Sequence, residues 1–228
     1  MHVRGTVSTF LLVPGAGGVA WYWHRVVERL VAAGHDAIAV ELPGADPGAG
    51  LPEYADLVAG AGGGRQKVVL VAQSMGAFAA LPACSRLAVR RLVLNNAMIP
   101  LPGETPGQWW DNTCWEAARV AAAREHGYAE AFDVDSYFLH DVPPAVAAAG
   151  AEHQRPEAPI AFEQPCDFAR WPDVVTTVLA GRDDRFFPLA FQRRVARERL
   201  GLEAEALPGG HLNALSEPDA LTAALLRR

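Results

Sequence analysis

The chain has little of what would tie it to nucleic acid, to a disulfide framework or to a membrane. Among its 228 residues there is a single lysine, Lys67, and acidic residues outnumber basic ones by 26 to 20, for a formal charge of -6. Binding a phosphate backbone needs a concentrated positive surface, so nucleic acid is excluded as the main partner and a small molecule is expected. Three cysteines, Cys84, Cys114 and Cys166, are widely spaced, odd in number and without a CxxC pair. They support neither a disulfide framework nor a zinc site, and they fit a reducing cytoplasm. His24, His35, His126, His140 and His153 have no paired ligand spacing with one another or with a cysteine, so no metal is expected. No apolar run approaches the ~20 residues of a membrane span, and that of "MHVRGTVSTFLLVPG" is too short for a signal peptide before it turns at Pro14 and Gly15. Linkers, repeats and low-complexity tracts are also missing, so the chain reads as one domain over 1–228. A monomer and a homodimer both remain open.

What is present is a 50% hydrophobic composition arranged as alternating strands and helices. Thr9 to Val13 is an apolar strand, and "VAWYWHRVVERLVAA" carries helical spacing until Gly34 stops it. "DAIAVEL" is a second strand, "PEYADLVAGA" a helix, residues 68–72 a third strand, "MGAFAALPACSRL" a helix and "RRLVLNN" a fourth strand. From about 97 to 172 the strand pattern stops and gives way to helices in "WWDNTCWEAARVAAAREHG", "VDSYFLHDV" and "PPAVAAAGAEH", which reads as an insertion. The alternation resumes with "VVTTVLAG", "LAFQRRVARERL", "LEAEALPGG" and "EPDALTAALLRR". This is the arithmetic of an α/β fold, a mostly parallel, doubly wound sheet of about six strands with a helical cap inserted.

In such a sheet chemistry gathers at the carboxyl ends of the strands. "VVLVAQSMG" puts Ser74 after the third strand, bracketed by Ala72 and Gly76, a small-x-Ser-x-Gly turn that lifts a hydroxyl out of the chain. "AGRDDRFFP" presents Asp183 and Asp184 after the fifth strand, and "LPGGHLNAL" presents His211 after the sixth. Taken singly, each has an ordinary reading: a helix cap, a turn acid, a structural histidine. Together they make a nucleophile, a carboxylate and a general base, with His211 taking the Ser74 proton while the carboxylate sets its tautomer. The oxyanion that forms needs preorganised donors, assigned to the backbone N–H of Met75 in the turn and of Ala16 in the glycine-rich "VPGAGG" loop.

Four separated motifs resemble the α/β-hydrolases of the branch that contains the plant methylesterases and hydroxynitrile lyases. "LLVPGAGGVAWYWHRVVERLVAAGHDAIAVELPG" is similar to that branch's opening strand, oxyanion loop, helix and second strand, and "AQSMGAF", "GRDDRFFP" and "PGGHLNALSEP" to its elbow, acid loop and histidine loop. The resemblance covers most of the chain outside the insertion. Its Gly-x-x-Asp acid pattern falls on Gly181 and Asp184, which implies Asp184 as the triad acid, with Asp183 second. Two positions depart from the pattern: Pro14 replaces a histidine before the oxyanion glycine, and Ala72 replaces the first elbow glycine. The cyanohydrin-cleaving members carry a lysine after the catalytic histidine and a threonine in the oxyanion loop, where this chain has Leu212 and Gly15. Both positions are esterase-like, so the resemblance implies a serine hydrolase acting on an ester or related acyl bond, for which the ordered triad needs no cofactor. A small, apolar substrate is expected from the tryptophans and the acidic charge, since the insertion resembles nothing that would carry a substrate over.

Rival readings are a lyase or cyclase on the same fold, an inactive ligand-binding protein, and an NAD-binding protein. The last rests on Gly15, Gly17 and Ala20 as Gly-x-Gly-x-x-Ala, with Glu41 closing the second strand. It leaves Ser74, Asp184 and His211 unexplained. In the insertion, Trp109, Trp110 and Trp115, together with Gly15, are candidate substrate contacts, though tryptophans there could equally pack the insertion onto the body. Cys114 has no base beside it in the sequence and is not read as a nucleophile.

Overall fold

The structure is a computed structural model and describes residues 7–227. The first six residues of the stretch weighed as a signal peptide, and the last residue of the predicted closing helix, lie outside the described residues. Strand β1 (Thr9–Val13) leads through a loop and a 3-10 turn at Ala20–Trp23 to α1 (His24–Ala32) and β2 (Asp36–Ala39). Then come α2 (Leu51–Gly62), β3 (Val68–Gln73), a 3-10 turn at Ser74–Gly76, α3 (Ala77–Cys84) and β4 (Val89–Asn95). Between β4 and the next strand lie α4 (Pro106–Asn112), α5 (Trp115–His126), a π-helical turn at Asp135–Leu139, α6 (Pro144–Gly150) and α7 (Ile160–Glu163). β5 (Val175–Gly181), α8 (Leu189–Leu200), β6 (Ala204–Leu207), α9 (Asn213–Ser216) and α10 (Pro218–Leu226) follow.

The six strands form one parallel sheet in the order β2-β1-β3-β4-β5-β6. Successive side chains of a strand point to opposite faces, and here both faces are covered, which is why the strands read as unbroken apolar runs. Leu11, Val13, Leu70, Leu92 and Leu94 pack on one side with α2, α3 and α8; Phe10, Leu12, Val69, Val71 and Val93 pack on the other with α1 and α10. Each such side chain contributes roughly 1.5–3 kcal/mol by leaving water. Helix α3 is apolar all round and almost wholly buried, so it sits in the centre of its layer. Pro82 interrupts it and cannot donate to the Phe78 carbonyl; the buried Cys166 thiol points to that oxygen instead, at 3.5 Å.

Three expected elements differ. The helix predicted over 109–127 is two helices, because Cys114 takes a left-handed φ of 51° between α4 and α5. The strand predicted from "DAIAVEL" stops at Ala39; beyond it the Leu42 N–H leaves the sheet to donate to the Gly18 carbonyl at 2.8 Å, tying this segment to the loop after β1. The strand predicted from "LEAEALPGG" stops at Leu207, before Pro208, which has no N–H, and Gly209, which turns at φ 94°.

The segment between β4 and β5 is anchored by a buried ion pair. Glu104 accepts from the Arg199 guanidinium of α8, from Asn112 at 2.7 Å and from the Leu101 N–H at 3.0 Å. Burial alone would raise the Glu104 pKa, but these donors outweigh it and hold the carboxyl below its usual range. A carboxylate depressed in the folded state adds stability above its unfolded pKa, and that stability is lost as pH falls through the folded value. Glu104→Gln is therefore expected to cost about 3 kcal/mol at pH 7, where it strands a buried Arg199. The gap to the parent should narrow below about pH 4 in urea melts across pH.

Candidate active site

The chain passes from β1 to β2 on one side and then back across β1 to β3, so the carboxyl ends of β1 and β3 diverge around a crevice. Ser74 stands there, at the end of β3, with a left-handed φ of 50°. A non-glycine residue in that region is strained by the order of 1 kcal/mol, and the strain turns the side chain out of the strand direction. The turn is held against the loop after β1. A Cβ on Gly76 would stand 2.3 Å from the Pro14 carbonyl oxygen, and one on Gly15 would stand 2.9 Å from the Ser74 Cβ. Only glycine allows this approach at either position. Ala72 lies within β3 and is not among the positive-φ residues, so the departure from the first elbow glycine costs nothing here.

Ser74, Asp184 and His211 are brought together. His211 Nε2 is 3.1 Å from Ser74 Oγ, and His211 Nδ1 is 2.9 Å from Asp184 Oδ2. All three residues are buried, with Asp184 at 4% and His211 at 2% exposure, which keeps bulk water from competing for these bonds. Asp183, one residue away, instead closes the turn against Gly209: its carboxylate accepts from that N–H at 3.2 Å. Asp184 Oδ1 accepts from the Phe186 and Phe187 N–H groups at 2.9 and 2.8 Å, and its Oδ2 from Gln192 Nε2 at 3.1 Å. Asp184 Oδ2 also faces His211 Nδ1, an acceptor that favours a proton on that nitrogen.

Several residues of this arrangement escaped the sequence reading. Asn96, in a left-handed conformation at φ 46°, donates to the carbonyls of Gly210 and His211 at 3.0 and 3.1 Å and accepts from the Gly181 N–H at 2.6 Å, so it joins the acid loop to the histidine loop. Asn95 and Asn213 exchange amide hydrogen bonds at 2.8 and 3.1 Å and brace the helix start behind His211. Phe138 stacks on the His211 ring at 5.1 Å, and Phe186 and Phe187 meet it edge-on at 5.2 and 4.9 Å. The doubled asparagine in "VLNNA" at a strand end was the one signal that could have disclosed the polar brace; of the aromatic cage, Phe186 and Phe187 stand in the acid-loop motif "GRDDRFFP", but nothing marked Phe138, which lies in the insertion.

The N–H groups of Ala16 and Met75 donate to no protein acceptor among the described residues. Both lie on the loops that face each other across the crevice. A cavity of about 270 Å³ opens beside the Ala16 loop, bounded by Gly15, Ala16, Tyr22, Gln73, Phe138 and Leu212, among others. Gly15 borders the cavity, whereas Trp109, Trp110 and Trp115 do not. Trp109 is fully buried and donates to the Ile99 carbonyl at 3.0 Å, Trp115 donates to the Phe186 carbonyl at 2.7 Å, and Trp110 packs between them. Their indoles fix the insertion to the acid loop.

Burial raises the Tyr22 pKa far above its ordinary value, so the phenol stays a donor. Burial lowers that of His140, against the pull of Asp141, and raises that of Glu157, against its two donors, Tyr54 and the Gly17 N–H. No group of three or more His, Cys, Asp or Glu side chains among the described residues is arranged to hold a metal ion. The loop offered to a dinucleotide is also taken: Glu41 accepts from the Ala20 N–H at 2.7 Å, and Gly17 and Gly44 pack backbone against backbone. No helix among the described residues is long and apolar enough to cross a membrane.

Residues 10–225 match the model of the alpha/beta hydrolase family. The chain belongs to that family. The alpha/beta hydrolase match leaves no room for the NAD-binding reading. Among curated proteins, "Probable esterase PIR7A" of Oryza sativa, in subspecies indica and japonica alike, is 36% identical over 111 residues, covering 43% of this chain and 42% of the relative. The match thus spans about two fifths of the length of those relatives. Among solved structures of the same fold, polyneuridine aldehyde esterase superposes with a TM-score of 0.75 at 18% identity, over 97% of this chain and 98% of that one. A pyrethroid hydrolase from Sphingobium faniae gives 0.72 at 22% identity over 96% of both chains, and a methylesterase from Arabidopsis gives 0.73 at 20% over 97% and 98%.

Asn96 is the element of the polar brace that can be tested without touching Ser74, Asp184 or His211. Asn96→Ala leaves the Gly181 N–H and the Gly210 carbonyl without the Asn96 amide, and the His211 carbonyl with only the long bond from Gln73 Nε2 at 3.4 Å. A loss of about 2–4 kcal/mol of unfolding free energy is expected in urea titrations.

Proposed function

We propose that this protein is a serine hydrolase that cleaves an ester or related acyl bond of a small, apolar molecule. The observation that carries the reading is the continuous buried line from Ser74 Oγ through His211 to Asp184, at 3.1 and 2.9 Å. His211 Nε2 takes the Ser74 proton as Oγ attacks the acyl carbon, and Asp184 stabilises the imidazolium through Nδ1–H. The oxyanion is held by the N–H groups of Ala16 and Met75, whose freedom from other acceptors supports that role. His211 then returns the proton to the leaving oxygen, the acyl group remains on Ser74, and water activated by the same histidine releases the acid.

The substrate class follows from the cavity. Its walls are mostly apolar, and about 270 Å³ on the Gln73 and Ala16 side of the site accommodates a compact acyl or alcohol group. The names of the relatives, an esterase, a methylesterase and a pyrethroid hydrolase, agree with ester chemistry. Leu212 and Gly15, both on the cavity wall, provide no cation for a cyanide leaving group, and Lys67 lies at the opposite end of β3 from Ser74. The insertion over the cavity acts as a cap. Three free cysteines, two of them buried, suit a reducing cytoplasm.

A fluorophosphonate probe, read by intact mass and peptide mapping, tests the nucleophile. Stoichiometric labelling of Ser74 is expected in the parent and none in Ser74→Ala or His211→Ala; a folded parent that stays unlabelled would overturn the reading in favour of a binding protein or a lyase. Asp184→Asn tests the acid. The Phe186 and Phe187 N–H groups hold an oxygen at the Oδ1 position, so the new NH₂ must face His211 Nδ1 and drive the proton to Nε2, the wrong tautomer. A fall in kcat of about 10³–10⁴ with KM little changed is expected on a p-nitrophenyl ester, by analogy with the same substitution in serine proteases.

A further inference from the structure

The loop that carries the Ala16 N–H does not hold its own shape. Residues 15–18 form a four-residue turn, closed by the Gly18 N–H donating to the Gly15 carbonyl at 3.1 Å, with Gly17 at φ 84° in third place as a type II turn requires. The middle peptide of that turn, Ala16–Gly17, bears the Gly17 N–H, and the Ala16 N–H sits on the preceding peptide, Gly15–Ala16, so the two share the Ala16 Cα and move together only as the turn moves. The far side of the turn is held from outside the loop. The Gly17 N–H donates to Glu157 Oε2 at 2.6 Å, and Glu157 Oε1 accepts from the Tyr54 hydroxyl of α2 at 2.6 Å. Among the described residues the Gly17 N–H has no other acceptor, so loss of the carboxylate would free this side of the turn.

Neighbouring contacts lock the same segment to the same loop. The Arg155 carbonyl lies so close to Gly17 that a Cβ there would stand 2.6 Å away, and the Ala158 N–H donates to the Gly44 carbonyl at 2.6 Å. Arg155 pairs with Glu41, which in turn accepts from the Ala20 N–H. Arg155 and Gln154 also border the cavity. The strap that borders the cavity is thus the strap that holds the loop.

We propose that Glu157, reaching down from the segment between β4 and β5, is a positioning residue for the oxyanion hole, anchoring the 15–18 turn at the Gly17 N–H, one peptide beyond the Gly15–Ala16 peptide whose N–H faces the reacting carbonyl. The inference rests on the reading of Ala16 as an oxyanion donor. Glu157 touches no reacting atom. Its effect is carried through the turn, and it links docking of the insertion to competence of the hole.

The test compares the parent, Glu157→Ala, Glu157→Gln and Tyr54→Phe, each first shown folded by its thermal midpoint. The readouts are the rate of fluorophosphonate labelling, kcat and KM on a p-nitrophenyl ester, and the affinity for a trifluoromethyl ketone, whose adduct on Ser74 needs the hole. Glu157→Ala should lower kcat and labelling rate about tenfold or more, part of the 10²–10³ that outright loss of a donor costs, and weaken the ketone by a like factor while KM stays within about twofold. Glu157→Gln keeps an oxygen for the Gly17 N–H and should recover most of the loss. Tyr54→Phe leaves the Gly17 bond intact and should have the smallest effect. Equal labelling and ketone affinity in parent and Glu157→Ala would overturn the inference, as would a loss confined to KM or a Glu157→Gln no better than Glu157→Ala. An unlabelled parent would instead overturn the hydrolase reading beneath it.

Discussion

The close approach of the turn after β3 to the loop after β1 is the constraint on which the rest of the structure depends. Gly76 and Gly15 lie against Pro14 and Ser74 at distances that exclude any side chain, and Ser74 accepts a left-handed backbone to fit between them. From this follow the exposure of Oγ toward His211, the facing of two unpartnered N–H groups across the crevice, and the opening of the cavity at that point. The parallel sheet makes it possible, because β1 and β3 are neighbours whose following segments leave in opposite directions.

Around that contact the protein spends polar groups in the interior that a merely structural core would avoid. Asn95, Asn96, Gln192 and Asn213 are all buried, and each is satisfied by a partner on a loop that carries one of the three residues or on the helix behind it. Buried amides so paired are stiff, since breaking any bond strands a donor or acceptor away from water. The phenylalanines about His211 add shape without competing for its two nitrogens. Orientation of the imidazole comes from hydrogen bonds, and its dryness comes from the rings.

The segment between β4 and β5 is more than an attachment. Glu104 and the three tryptophans tie it to α8 and the acid loop, while Glu157, Arg155 and Ala158 tie it to the loop after β1. It therefore touches both sides of the crevice. A segment anchored in this way shapes the cavity and holds the surrounding loops, so variation within it can alter substrate fit and loop geometry together.

The sequence alone determined the alternation of strands and helices and the parallel character of the sheet, because apolar runs of strand length between helices have few other ways to be buried, while the order of the strands in the sheet came from the structure. It also determined Ser74, Asp184 and His211 as the residues to watch, since each follows a strand and bears reactive chemistry in a glycine-rich turn. The choice of Asp184 over Asp183 needed the family pattern, and its geometry came from which carboxylate the Gly209 turn occupied. Only the tertiary structure decided the roles of the tryptophans, the asparagine brace, the aromatic cage and Glu157. These depend on contacts between residues as much as 140 positions apart, as with Gly17 and Glu157, and local periodicity carries no information about which distant side chain meets a given backbone group.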